Sequence, residues 1–61
     1  MPNLSSKELT AVEELLNSEF LLIKKFQDLS NTTTDMELKN KYTQIAGQHQ
    51  GHYNRLLSHL S

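Results

Sequence analysis

A short run of helix-resisting residues divides the sequence into two segments, and this break constrains the fold more than any other feature. Residues 30–34 read Ser-Asn-Thr-Thr-Thr. These side chains bond their own backbone or lose rotamer freedom in a helix, so they favour a turn. From Ser5 to Leu29 no Gly or Pro interrupts the chain, and good helix formers predominate. The sequence therefore predicts an all-α chain of two long helices joined by a turn.

Capping signals indicate where each helix begins. Ser5 with Glu8 three residues later has the spacing of a capping box, in which each side chain bonds the other residue's backbone N–H. Thr34 with Glu37 predicts a second box. A connection of about five residues makes the two helices antiparallel. We therefore expect one helical-hairpin domain over residues 1–61, with helix 1 at about 6–30, a turn at 31–34 and helix 2 at about 35–60.

The apolar residues cover more of helix 1 than one neighbouring helix can bury. At about 100° per residue they span roughly 180° on helix 1 and a narrower stripe on helix 2. The chain has 61 residues and no Cys, and a domain of this size is marginal without disulfides, metal or a partner. We therefore expect a homodimer in which two hairpins form a four-helix bundle. The helix 1 residues concerned are Leu9, Val12, Leu15, Leu16, Phe20, Leu22, Ile23, Phe26 and Leu29.

Three polar residues lie inside these apolar stripes. Glu19 is near the middle of the helix 1 stripe, and His49 and His52 follow the same spacing on helix 2. With a turn near residues 31–33, Glu19 comes beside His49, and His52 is one turn further along. The same turn predicts that Phe26 meets Leu38 and that Ile23 meets Tyr42.

A buried carboxylate needs a hydrogen-bonding cation, a metal, a proton or water, which leaves three interpretations of Glu19 open. It can pair with His49 and fix the register of the bundle. It can join His49 and His52 as ligands of a divalent metal, since two imidazoles at i and i+3 share a helix face. It can also reach water in a looser assembly.

Composition excludes several classes of function. Six Lys or Arg against seven Asp or Glu give a net charge of −1, with no basic stripe for a nucleic acid. The longest apolar run, residues 20–23, is too short for a membrane span, and no signal-peptide pattern is present, so we expect an intracellular protein. No catalytic triad order, phosphate loop or Cys pair occurs, so we expect no enzymatic activity.

Two glycines interrupt helix 2. Gly47 and Gly51 each cost roughly 1 kcal/mol relative to Ala, and both fall on the side away from the predicted core. They are either tolerated there or allow another molecule to approach closely.

Three stretches of the sequence resemble one half of a ferritin-like bundle. They are Leu16–Phe26 (LNSEFLLIKKF), Asp35–Lys39 (DMELK) and Gln48–Leu56 (QHQGHYNRL). The likeness covers about residues 9–60 and is closest to rubrerythrin-type halves and to short bacterial spore coat proteins of the coat protein F kind.

The resemblance implies a metal site between four helices, built in that family from a Glu on the first helix and a Glu-x-x-His on the second. Glu19 matches the first Glu and His52 matches the His, whereas His49 occupies the position of the second Glu. Replacing both of those carboxylates in a dimer favours zinc, copper or nickel over a di-iron centre, and the expected cofactor is a divalent metal: zinc, iron or manganese.

The expected function is therefore that of a small structural or assembly protein in the bacterial cytoplasm or spore coat. Its partners would be a second copy and other coat proteins. The alternative is a metal-binding or redox protein using Glu19, His49 and His52. A third interpretation is a helical module whose apolar stripe binds helices of another protein.

Overall fold

The computed structural model describes residues 4–60 and has the expected all-α hairpin. Helix α1 spans Ser6–Thr32 and helix α2 spans Met36–Ser58, and the two pack along each other. The hairpin measures 46 × 15 × 10 Å, so it is one helix thick. Of the predicted domain 1–61, residues 1–3 and 61 lie outside the described part.

The predicted capping box at the start of α1 is confirmed. The backbone N–H of Ser5 donates to Glu8 Oε1 at 3.1 Å, and that of Glu8 donates to Ser5 Oγ at 3.1 Å. Hydrogen bonding to the Glu8 carboxylate by Ser5, through its backbone N–H first and its hydroxyl second, favours the ionised form and lowers the pKa of Glu8.

The end of α1 lies two residues beyond the predicted boundary at about residue 30. Thr32 stays helical because its hydroxyl donates to the Asp28 carbonyl at 3.0 Å. The N–H of Thr33, the C-cap, donates to the Leu29 carbonyl at 3.1 Å. The helix thus continues two residues into the threonine run that propensity was expected to keep outside it, and it ends at the backbone bond from Thr33 to Leu29.

The predicted capping box of Thr34 with Glu37 is wrong, because Asp35 is the N-cap of α2. Its Oδ1 accepts from the N–H groups of Glu37 at 2.9 Å and Leu38 at 3.1 Å. The N–H of Asp35 donates to Thr33 Oγ1 at 3.2 Å. A carboxylate that accepts two bonds at the positive end of a helix is a better cap than a hydroxyl that accepts one.

The register between the helices differs from the predicted one by about a helical turn. The non-helical residues 33–35 are centred on Thr34 rather than on residue 32. The ring of Phe26 therefore lies 6.1 Å from that of Tyr42, so its predicted pairing with Leu38 is wrong. Ile23 lines the same groove as Ala46, not Tyr42 as predicted.

Few side chains are fully buried between the helices. Among residues 4–60 the buried apolar residues are Ile23 and Ala46, and Ser30 is the buried polar one. Ser30 Oγ and Thr43 Oγ1 share a hydrogen bond of 2.9 Å, and Lys39 Nζ donates to the Ser30 carbonyl at 2.9 Å. Together these bonds link the two helices near the turn.

One side of the helix pair is apolar, and we call it the open face. It carries two rows of residues spaced seven apart, one on each helix, which are therefore in line along the helix surface. Leu15 and Leu38 are 52% and 42% exposed, and the other aliphatic members are half-buried. The rows are Leu15, Leu22 and Leu29 on α1, and Leu38, Ile45 and His52 on α2.

The opposite side is a groove lined by amides and small polar residues, which we call the amide groove. Its walls are Gln27, Asn31, Thr43, Gly47 and Gln50, and Ile23, Ser30 and Ala46 form its floor. Towards the open end of the hairpin it continues past Phe20 and Tyr53. Neither described helix is long and apolar enough to cross a bilayer.

Candidate metal centre

The structure brings the three predicted site residues together. Glu19 is at the midpoint of α1, and His49 lies as many residues after Thr34 as Glu19 lies before it. An antiparallel pair centred on Thr34 therefore places Glu19 and His49 at one level. His52 follows His49 by three residues, so its ring lies on the same side of α2 one turn further on.

Both imidazoles direct Nδ1 towards the same carboxylate oxygen. His49 Nδ1 donates to Glu19 Oε2 at 2.9 Å, and His52 Nδ1 lies 3.4 Å from that oxygen. The two imidazole rings meet edge to face, with centroids 5.6 Å apart. The predicted contact of Glu19 with His49 is thus confirmed, and His52 belongs to the same cluster.

Burial differs among the three residues. The side chains of Glu19 and His49 are 18% and 22% exposed, whereas that of His52 is 48% exposed. The ring of His49 also stacks on that of Phe26, with centroids 6.1 Å apart and planes 13° apart. The cluster therefore has a fixed inner side at Glu19 and His49 and a solvent-facing side at His52.

The separations between the ligand atoms fit a divalent metal. One oxygen or nitrogen of each residue lies within 4.8 Å of the corresponding atoms of the other two. Donor atoms about 2.1 Å from one ion lie about 3.0 Å apart at a right angle and about 3.4 Å apart at the tetrahedral angle. The 2.9 Å and 3.4 Å separations from Glu19 Oε2 to the two Nδ1 atoms lie close to these values, although 2.9 Å is equally a hydrogen-bond distance, so the three residues form a candidate metal site.

Two imidazoles and one carboxylate form a ligand set that zinc and iron(II) accept, with positions left for water or a further ligand. Without an ion the same atoms form a hydrogen-bonded cluster, in which the carboxylate is satisfied by His49. Of the three interpretations of Glu19, contact with the imidazoles is therefore favoured over contact with water alone.

Sequence reasoning missed the stacking role of Phe26, which was assigned only to the apolar stripe. The signal was present, because Phe26 follows Glu19 by seven residues and therefore lies in line with it on α1. The wrong register concealed this contact.

No family model, curated protein or solved structure matches this chain. The resemblance to ferritin-like halves and spore coat proteins thus stays a prediction.

Proposed function

We propose that the chain is a small structural and assembly protein that acts as a homodimeric, ferritin-like four-helix bundle. The resemblance to short bacterial spore coat proteins implies the same role, with other coat proteins as further partners. The observation that carries the proposal is the open face, where a row of leucines on α1 lies beside Leu38 and Ile45 on α2 in a hairpin one helix thick.

The need for a partner follows from how little the hairpin buries. Leu15 and Leu38 remain about half exposed, and the buried apolar residues of the described chain are Ile23 and Ala46, neither of them completely buried. Each apolar Å² removed from water contributes about 25 cal/mol, so a second apolar layer on the open face adds stability that one pair of helices lacks. A second hairpin supplies such a layer.

The experiment is a thermal unfolding series over a hundredfold range of protein concentration. Because unfolding of a dimer is coupled to dissociation, its Tm rises with concentration. We expect such a rise, accompanied by loss of helical circular dichroism in one transition. A Tm that is independent of concentration would contradict the homodimer.

Divalent-metal binding is the second candidate, favoured by the 2.9 Å and 3.4 Å separations around Glu19 Oε2. Glu19, His49 and His52 would hold the ion, which would supply Lewis acidity or redox chemistry according to its identity. The chain's own contribution is to orient the ligands, through the stacking of His49 on Phe26.

Metal analysis of protein purified without a His tag tests this candidate, together with thermal melts in chelator and in added zinc, iron or manganese. A saturating ligand at about 100 times its Kd stabilises the fold by about 2.7 kcal/mol. We expect Glu19→Gln to remain folded but to lose the metal-induced rise in Tm. The matched control is Glu13→Gln, on the exposed surface of the same helix, which should keep the rise. No bound metal and no shift in the parent protein would eliminate the candidate.

A further inference from the structure

Helix α1 carries two separate seams, each with residues spaced alternately three and four apart. The first faces α2 and contains Glu19, Ile23 and Ser30, which bond or pack against that helix. The second seam is displaced from the first by one residue and therefore lies about 100° round the helix from it. It consists of Ala11, Leu15, Ser18, Leu22, Lys25 and Leu29.

The second seam has no cover within the described hairpin. Leu15 is 52% exposed, Leu22 and Leu29 are half-buried, and the three smaller or charged members are exposed. In a square bundle each helix contacts two neighbours at roughly a right angle. The angle between the two seams of α1 is therefore the angle that such a bundle requires.

The corresponding positions on α2 are much less apolar. They contain only two aliphatic residues, and the remainder are polar or charged: Leu38, Lys41, Ile45, Gln48, His52 and Arg55. Of the two helices, α1 therefore has the surface better suited to a close helix–helix contact.

If two copies of the second seam are placed antiparallel, the side chains that face each other are complementary in size and charge. Positions equidistant from residue 20 pair a small residue with a leucine: Ala11 with Leu29, and Ser18 with Leu22. The third pair is Leu15 with Lys25, and there Glu14 would neighbour the lysine of the opposite copy.

We propose that α1 packs antiparallel against α1 of a second copy along this seam, so that the two turns lie at opposite ends of the bundle. This inference rests on the proposed homodimer and specifies its contact and direction. A parallel arrangement would instead set Lys25 against Lys25 and Ala11 against Ala11. That arrangement juxtaposes like charges in one layer and leaves a void in another, and both are unfavourable.

The antiparallel pairing also determines where the two polar clusters lie. Its centre at residue 20 is one residue from Glu19. The Glu19, His49 and His52 clusters of the two copies therefore come to the same level, on either side of the twofold axis. The half-exposed His52 then lies in the α2 row that faces the second copy.

Cysteine cross-linking tests the direction, and the chain has no native Cys to interfere. Ala11→Cys and Leu29→Cys are prepared separately, mixed, unfolded and refolded together. They are then treated with a bis-maleimide whose reach matches the 8–10 Å between packed helix axes. We expect mass spectrometry to find a cross-linked pair with one copy of each variant, and Ala11→Cys alone to stay unlinked.

The matched control is the mixture of Glu13→Cys with Gln27→Cys. These positions are also equidistant from residue 20 but lie on the side of α1 towards the amide groove, so we expect no cross-link. Efficient linking of Ala11→Cys to itself, or of the control pair, in protein that sediments as a dimer would overturn the antiparallel seam while leaving the homodimer intact. A folded single-chain mass for the untreated variants would overturn both.

Discussion

The two sides of this hairpin are built by the same pair of helices but differ in chemistry. The open face presents aligned leucines and isoleucine around a Glu–His cluster. The amide groove presents Gln27, Asn31 and Gln50, whose amides are compatible with water. A polar groove loses little by staying hydrated, whereas an aliphatic row loses much, and this contrast is the basis for placing the proposed second copy on the open face.

The largest expected effect is on dimer stability, and it is tested by two separate variants, each with one new carboxylate: one on the open face and one on the amide groove. Leu22→Asp would bury an unpaired charge in the proposed interface at a cost of at least about 3 kcal/mol per copy. The dimer carries two such charges, so its dissociation constant rises more than about 10,000-fold. Gln27→Asp, on the amide groove, should change the free energy of unfolding by no more than about 0.5 kcal/mol. Urea unfolding and sedimentation of both variants provide the measurement, and equal effects would remove the distinction between the two sides.

Ser30→Ala tests the bonds beneath the amide groove. Ser30 is buried and its hydroxyl shares a hydrogen bond with Thr43, so we expect a loss of about 1 kcal/mol in the free energy of unfolding. Its sedimenting mass should be unchanged, because the bond lies within one chain. Thr10→Ala is the control, since that exposed hydroxyl bonds only the Ser6 carbonyl of its own helix. A change in mass for Ser30→Ala would show that the groove side also contributes to the interface.

Gly47→Ala distinguishes a hydrated groove from one that receives a helix. A Cβ added at Gly47 or at Gly51 meets no atom within 4 Å of its own chain. We expect each Gly→Ala change to raise the free energy of unfolding by about 0.5–1 kcal/mol, through helix propensity alone. Circular dichroism melts measure the gain. A lower Tm for Gly47→Ala, with the gain kept for Gly51→Ala, would place a close partner in the groove.

The smallest expected effect is the pH dependence of the stability that Glu8 contributes. Glu8 lies in the capping box at the start of α1, outside both the open face and the amide groove. Because its pKa is lowered in the folded state, its contribution is present above the usual glutamate pKa and is lost as the pH falls through the lowered value. An NMR titration should show the pKa of Glu8 rising towards the usual glutamate value in Ser5→Ala. Unchanged titration in that variant would exclude the Ser5 hydroxyl as a cause and leave the Ser5 backbone N–H, which the substitution keeps.

Sequence patterns were sufficient for the two helices and for the grouping of Glu19 with His49 and His52. Those predictions depend on helical periodicity and on an approximate turn, and a shift of a few residues still leaves Glu19 facing the two histidines. The pairing of Phe26 required the turn to within one residue, and it was wrong. Three adjacent threonines and an aspartate can each cap a helix. Which residue becomes the cap depends on local hydrogen bonds, and helix propensities do not predict their relative strength.

The open face was predictable as an excess of apolar surface on α1, but its contrast with the amide groove was not. The helical wheel gives the angle of each side chain, whereas the groove depends on how Ile23, Ser30 and Ala46 form a floor between the two helices. The apolar sector of helix 1 is wider than α2 can cover. Because the hairpin is only one helix thick, the remaining apolar surface is left uncovered within one chain.

Sedimentation equilibrium of the unmodified chain at micromolar concentration tests most directly whether the open face binds a second copy. A homodimer should give about 14 kDa, twice the 7.0 kDa of one chain. The Gln27→Asp variant should give the same mass, and the Leu22→Asp variant a smaller one. A chain of 7.0 kDa that is fully helical and unfolds cooperatively at every concentration would contradict the proposed bundle.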